Sequence, residues 1–259
     1  MGVMLVKEPS MTAVFAHRGR TDGFVENTLE AFAEAKRLGA DGVELDVRLT
    51  SDGALAVHHD PLIDGLGPVA GLTVPELPGH VPLLADALAV CEGMVVNVEI
   101  KNDPAQPGHD PAETVAAVTA AAIAEVGWTE RVIVSSFQAS TLRAVQAADE
   151  RLPLGVLWPF LTDIEAGLAQ AVAEGWSAVH PFVTEAGPEL VKRAQGAGLS
   201  VNVWTVNARH DLAALVQLGV EAIITDHLVE ALSIARGEGG EGDEGDEGRD
   251  EGGDEGDEE

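Results

Sequence analysis

The residues of this chain that could do chemistry gather where its first β-rich runs end. His17 and Arg18 close one such run, Glu44 and Asp46 interrupt a second built from Val43, Leu45 and Val47, and Glu99 and Lys101 end a third. Residues i and i+2 of a strand project to one face. Glu44 and Asp46 therefore point together, as do Glu99 and Lys101. With the aliphatic neighbours turned toward covering helices, the acids face an interior, where an unpaired carboxylate is expensive. Three converging carboxylates make an oxygen-rich site for a hard divalent cation, Mg2+ or Ca2+, and a cation offsets their repulsion. The competing reading makes them structural ion pairs with Lys101, Arg18 and Arg48, but it leaves two neighbouring histidines unexplained.

Those histidines, His17 and His59, are the acid and base candidates, because imidazole titrates near neutrality and can take a proton from one oxygen and supply one to another. His58 alternates to the other side of its strand and is read as a bystander. Arg18 offers a planar fork for two phosphate oxygens and Lys101 a point charge. Trp204, at the end of a later β-rich run, would present an apolar ring to the carbon skeleton of a substrate. His80, His109, His180, His210 and His227 are scattered and receive no role.

The elements that must hold these groups alternate. Strands are expected at Ala13 to His17, Gly42 to Leu49, Val95 to Lys101, Arg131 to Phe137, Leu154 to Trp158, Ala178 to Phe182, Ser200 to Val206 and Ala222 to Thr225. Helical patterns follow at Thr28 to Leu38, Leu84 to Glu92, Pro111 to Val126, Ser140 to Ala148, Asp163 to Glu174, Pro188 to Ala197, Ala208 to Leu218 and Leu228 to Ala235. Gly39, Gly93, Gly127, Gly175, Gly198 and Gly219 stand where left-handed helix caps belong. Eight strands each followed by a helix is the count of an α/β TIM-type (β/α)8 barrel, although an open doubly wound sheet can use the same alternation. The turn Ser51-Asp52-Gly53 leads into a second strand-like run, Ala54 to Val57, so a small hairpin after the second barrel strand carries His58, His59 and Asp60 toward that strand's end. Gly65-Leu66-Gly67 reads as a turn, since no strand-to-helix context supports a nucleotide loop.

Bulk properties narrow the partners. The chain has 259 residues, within the range of one such barrel, and a formal charge of −29, which disfavours nucleic acid and anionic membrane surfaces as partners. Residues 12–236 are expected to form the barrel and 237–259 a disordered acidic tail, with thirteen Asp or Glu against Arg249. Cys91 is the only cysteine, flanked by Leu88, Ala89 and Val90, so a buried inert thiol in a cytoplasmic protein is expected. No apolar run is long enough for a membrane span, and residues 1–10 lack the signature of a signal peptide. There is no G-x-S-x-G, H-E-x-x-H or G-x-x-x-x-G-K motif, which removes the main support for serine hydrolase, zincin and P-loop readings.

Several runs resemble the glycerophosphodiester phosphodiesterase family: His17-Arg18-Gly19, Glu26-Asn27-Thr28, Gly39 to Thr50, Asp52-Gly53, His59-Asp60, Val98 to Lys101, Ser135-Ser136-Phe137, Val203 to Asn207 and Ile223 to Asp226. The resemblance covers roughly residues 13 to 230. It implies a TIM barrel, a divalent metal and hydrolysis of a small glycerophosphodiester to sn-glycerol 3-phosphate and an alcohol. It further implies Glu44, Asp46 and Glu99 as metal ligands, His17 and His59 as the acid–base pair, Arg18 and Lys101 as phosphate contacts, and Trp204 as a substrate-packing residue. In the family's proposed mechanism the neighbouring glycerol hydroxyl attacks phosphorus, and water opens the resulting cyclic phosphate. The chain departs from the family after His59-Asp60, where Pro61 to Gly67 replaces a longer basic segment with an Arg-Thr-Thr run, and at His227-Leu228, where a Pro is common. A lysophospholipid or glycerophosphoinositol substrate is the alternative within enzymes, with an apolar surface near Trp158, Phe160 and Phe182 as its mark. A barrel that binds phosphodiesters or metal without turnover is the alternative outside them.

Overall fold

The structure is a computed structural model that describes residues 11–159 and 163–237. Its chain order is β1 (Ala13–His17), α1 (Leu29–Arg37), β2 (Gly42–Leu49), β3 (Leu55–Val57), β4 (Leu62–Ile63), β5 (Gly67–Pro68), α2 (Leu84–Val90), β6 (Val95–Ile100), α3 (Thr114–Glu125), β7 (Val132–Ser136), α4 (Ala139–Ala148), β8 (Leu154–Trp158), α5 (Ile164–Glu174), β9 (Ala178–Pro181), α6 (Pro188–Gly196), β10 (Ser200–Val203), α7 (Arg209–Leu218), β11 (Ala222–Thr225) and α8 (Leu228–Ala235). β1 pairs in parallel with both β2 and β11, which closes β1, β2, β6, β7, β8, β9, β10 and β11 into an eight-stranded parallel barrel with helices between the strands. This is a TIM barrel, and closure excludes the open sheet.

Alternation along the strands sorts their residues. Val43, Leu45 and Val47 of β2 and Val96, Val98 and Ile100 of β6 face outward and pack with Phe32, Leu84, Leu88 and Ile123 of the helices in the main core. Inside, Ala13, Phe15, Ala222 and Ile224 form an apolar floor. A Cβ at Gly42 would lie 2.7 Å from the Phe15 ring, so glycine at that register is what lets the ring fill the floor. Helix α1 begins because the Thr28 side chain accepts from the Ala31 N–H at 3.2 Å, and it buries Ala31, Phe32 and Ala35 on one face. All six glycines expected as helix caps have positive φ.

β3 runs antiparallel to β2, Val57 beside Val47, and the His58 N–H donates to the Asp46 carbonyl at 3.0 Å, which returns His58 and His59 to the level of Asp46. The turn at Gly65 to Gly67 closes a two-stranded ribbon, β4–β5, over a small satellite core of Ala56, Ile63, Val69, Leu72 and Val81. Helix α3 starts at Thr114 rather than Pro111. Asp110 accepts from the Ala112 and Val115 N–H groups, and Glu113 takes a left-handed φ of 54°, so the chain is committed to a turn there. The strand expected to run to Val206 stops at Val203, and Trp204 instead forms a single bridge to Phe182. Cys91 is buried and free, with its thiol pushed up to about 12 by burial. No described helix is long and apolar enough to cross a membrane. Residues 238–259, most of the expected tail, and Phe160 lie outside the described residues.

Candidate metal and acid–base site

At the mouth, one oxygen each from Glu44, Asp46 and Glu99 fall within 4.8 Å of one another, and all three residues are buried. The register explains the convergence: Asp46 of β2 sits beside Glu99 of β6, and Glu44 lies two residues below Asp46 on the same face. Lys101 stands over them, its Nζ 3.0 Å from Asp46 Oδ1 and in contact with Glu99 Oε1. Counted as fully ionised, the three carboxylates exceed the two cations beside them, Lys101 and Arg18, by one charge. Burial pushes the Glu44 carboxyl well up, with Asp46 and Glu99 adding to the rise, and burial also raises Glu99. Asp46 differs: burial works to raise it, but Lys101, Arg18 and the Asn27 amide prevail and hold it at about 2. Among the described residues Glu44 Oε1 has no hydrogen-bond partner, and Asp46 Oδ1 and Glu99 Oε1 meet Lys101 without hydrogen-bond geometry. Buried, under-satisfied, all-oxygen and net negative, this set fits a hard divalent cation.

The ion-pair reading and the cation reading therefore overlap at Lys101 and Arg18. Arg48 is not hydrogen-bonded to the acids: it donates to the His59 carbonyl at 2.9 and 2.6 Å and to Gln106 at 2.8 Å, and burial lowers its pKa while Asp46 and Glu99 oppose that effect from a distance. Those bonds brace the His59 backbone.

Arg18 takes a left-handed φ of 56°, and this turn aims its N–H at Glu44 Oε2, 3.1 Å away. The Asn27 N–H holds the turn by donating to the Arg18 carbonyl at 2.9 Å. The Arg18 guanidinium donates to both oxygens of Glu26, at 3.0 and 3.1 Å, and its Nε lies 3.4 Å from Asp46 Oδ2. One side of the fork is therefore already engaged.

His17 Nε2 lies 3.9 Å from Glu44 Oε2, while His17 Nδ1 donates to Asp226 Oδ1 at 2.7 Å. Asp226 is held in turn: its Oδ2 accepts from the Asn207 amide at 2.7 Å, and its N–H donates to Asn207 Oδ1 at 3.0 Å. His59 has a local partner, Asp60 Oδ1, at 2.8 Å from Nδ1. Burial lowers the His59 pKa, with Asp46 opposing that effect. In both histidines a carboxylate on Nδ1 fixes the proton there and leaves Nε2 free to exchange one. The His58 N–H donates to the Asp46 carbonyl at 3.0 Å, but its imidazole bonds the Asp60 carbonyl through Nδ1 at 2.9 Å.

These features stand at the strand ends where (β/α)8 enzymes keep their chemistry, and the sequence itself places the chain. The model of the glycerophosphoryl diester phosphodiesterase family matches residues 17–230. The chain belongs to this family. Among its relatives, a glycerophosphodiester phosphodiesterase of Caldanaerobacter subterraneus subsp. tengcongensis is 33% identical over 88% of this chain and 99% of its own length. One from Bacillus altitudinis is 31% identical over 86% of this chain and 98% of its own. The solved structure of a glycerophosphodiester phosphodiesterase from Thermotoga maritima superposes with a TM-score of 0.71 at 26% identity, covering 86% of this chain and 98% of that one.

Within this family frame the rim opposite the acids is aromatic. Trp204 meets Phe137 and Phe182 edge-on, with centroids 5.4 and 5.3 Å apart, and its indole N–H donates to the His180 carbonyl at 2.8 Å. Lys101 Nζ lies 5.7 Å from the Phe137 centroid, which ties the rim to the charged cluster. Trp158 is not part of the rim: it is buried against helix α5, where a Cβ at Gly167 would meet its ring at 2.7 Å. The apolar surface expected of a lysolipid site therefore lacks this member.

Asn27, Glu26, Asp226 and Asn207 are site residues to which sequence reasoning gave no role. Asn27 donates to Asp46 Oδ2 at 2.8 Å and accepts from the Asp46 N–H at 3.3 Å. The signal was present in Glu26-Asn27-Thr28 and Thr225-Asp226, polar runs at a loop and a strand end within the matched motifs.

Proposed function

We propose that the chain hydrolyses glycerophosphodiesters, releasing sn-glycerol 3-phosphate and an alcohol, with Glu44, Asp46 and Glu99 holding a divalent cation, Mg2+ or Ca2+, and with His17 and His59 moving the protons. The observation that carries this reading is the convergence of three buried carboxylates at the mouth of a barrel of this family. When bound, the cation supplies positive charge to the phosphodiester oxygens. The residues do the rest. Arg18 and Lys101 neutralise the phosphate, since with a dication in place the cluster changes from one negative charge in excess to one positive. One imidazole takes the proton of the neighbouring glycerol hydroxyl as its oxygen bonds to phosphorus, and the other protonates the alcohol oxygen as its bond to phosphorus breaks. Water then opens the cyclic phosphate with the two proton roles reversed. Trp204, backed by Phe137 and Phe182, packs the glycerol carbons.

A cytoplasmic role in glycerol and lipid metabolism fits this activity, supported by a lone buried cysteine that needs no oxidising compartment. The acidic composition argues against nucleic acid and stable membrane association. Incubating the full chain with glycerophosphocholine, with and without Mg2+ or Ca2+, tests the reading. Metal-dependent release of choline and sn-glycerol 3-phosphate, lost on chelation, is expected. Absence of turnover across several phosphodiesters and both metals would favour a barrel that only binds.

A further inference from the structure

Between the apolar floor and the acidic triad the barrel interior carries a second polar layer, built from Asn97 on β6, Ser135 on β7, His180 on β9 and Asn202 on β10. All four are sealed from solvent, none more than 1% exposed. Register ties the layer to the triad. Asn97 is the cross-strand neighbour of Glu44, and Ser135 that of Glu99, and paired residues of parallel strands point to the same face. The next strand offers Gly155 beside Ser135, and a Cβ there would sit 2.3 Å from His180 Nε2. The imidazole therefore lies across the gap that this glycine leaves, next to Ser135.

Few of these groups have partners. The Asn202 amide donates to His180 Nε2 at 2.9 Å, so the ring proton is on Nδ1. Burial depresses the His180 pKa to about 3, and the ring is neutral. Among the described residues, His180 Nδ1, Asn202 Oδ1, Ser135 Oγ and both polar atoms of Asn97 have no hydrogen-bond partner. Buried polar atoms in native proteins are almost always satisfied, and so many orphans in one layer would consume a large part of a domain's net stability. The mixture of types identifies what satisfies them. A cation would meet the Nδ1–H of His180 and the amide hydrogens of Asn97, whereas an anion would meet Glu44 and Glu99. A neutral ligand that both donates and accepts suits every member.

We propose that this layer is an internal water site, in which ordered water bridges Asn97, Ser135, His180 and Asn202 and supports the Glu44 and Glu99 carboxylates from beneath. Glu44 Oε1, which has no partner of its own, is the acceptor nearest in register to Asn97. Asn97 and Ser135 are thus positioning residues, acting on the triad through water. The link to cation binding rests on the functional reading above; the water site itself does not.

The test uses the full chain with Asn97→Leu and Ser135→Ala, read by thermal unfolding without metal and by calorimetric titration with Mg2+ and with Ca2+. A hydrated layer predicts that both variants melt below the wild type, because each strands the water's other partners. It also predicts a loss of cation affinity on the order of 10- to 100-fold, as when the outer partners of metal ligands are removed. A dry layer predicts the reverse: an apolar replacement relieves unsatisfied atoms, so melting at or above the wild-type temperature overturns the proposal. Lower melting with unchanged affinity overturns the positioning role. Should Asn97→Leu fail to fold, Ser135→Ala, which removes a single oxygen, carries the test. A wild-type chain that binds no dication at all contradicts the proposed function, while the melting comparison still decides the water site.

Discussion

Two arcs of the same barrel meet the cost of buried polar groups in opposite ways. On the arc of β1, β2 and β6, Glu44, Asp46, Glu99, Lys101 and Arg18 crowd together as charges, and Asp46 is held ionised at about 2. On the arc of β9 and β10, His180 and Asn202 are equally buried, but the imidazole is neutral and its neighbours uncharged. Desolvation costs several kcal/mol per ion and much less for a hydrogen-bonded neutral group. The first arc thus carries an imbalance that a cation relieves, and the second a structure that only protons disturb. The difference separates chemistry from support: what binds metal should be expendable for folding, and what is neutral should matter for folding and reach metal binding only indirectly.

The sharpest way to break this comparison is Glu44→Gln. Turnover should fall by on the order of 10^3-fold, because a cation's contribution of several kcal/mol is lost. Melting should hold or rise, since burial already disfavours the Glu44 charge. A destabilised but active variant would make the charged arc structural.

A smaller effect is expected at Asp226, the partner of His17. Asp226→Asn should lower kcat by about 10^2-fold, with KM and cation affinity little changed and the pH–rate profile displaced. Asp226 also contributes to stability. Its pKa is lowered below the unfolded value, burial opposing and the His17 hydrogen bond prevailing, so its contribution is present above the unfolded pKa and disappears as pH falls through the folded one. Unaltered pH–rate behaviour in the variant would remove Asp226 from any proton-handling role.

The neutral arc should respond to acid. The His180 pKa of about 3 lies below the unfolded value of about 6.5, so its contribution is complete above about pH 6.5 and is lost toward pH 3, at about 1.4 kcal/mol per pH unit. Between pH 6.5 and 5 the wild type should lose about 2 kcal/mol more than His180→Asn in denaturant unfolding. Parallel curves for the two proteins would mean that His180 is already charged or solvated in the fold.

The barrel was largely legible because local alternation announces it: Val43 to Val47 and Val95 to Ile100 carry the period-2 pattern, and glycines end the helices. Boundaries were less so where side chains from elsewhere decide them, as at Asp110 and Glu113 before α3. Within the site, Glu44 with Asp46 and Glu99 with Lys101 could be read from i, i+2 spacing alone. Asp226 could not, since its partner His17 is 209 residues away and only barrel closure joins them. Trp158 shows the converse, a residue at a strand end whose outward register sends it to a helix rather than to the mouth.

The central claim is that Glu44, Asp46 and Glu99 grip one dication. Calorimetric titration of the wild-type chain and of the triple variant Glu44→Gln, Asp46→Asn, Glu99→Gln with Mg2+ and with Ca2+ tests it most directly. The account predicts one site in the wild type and none in the folded variant; equal binding by both would contradict it.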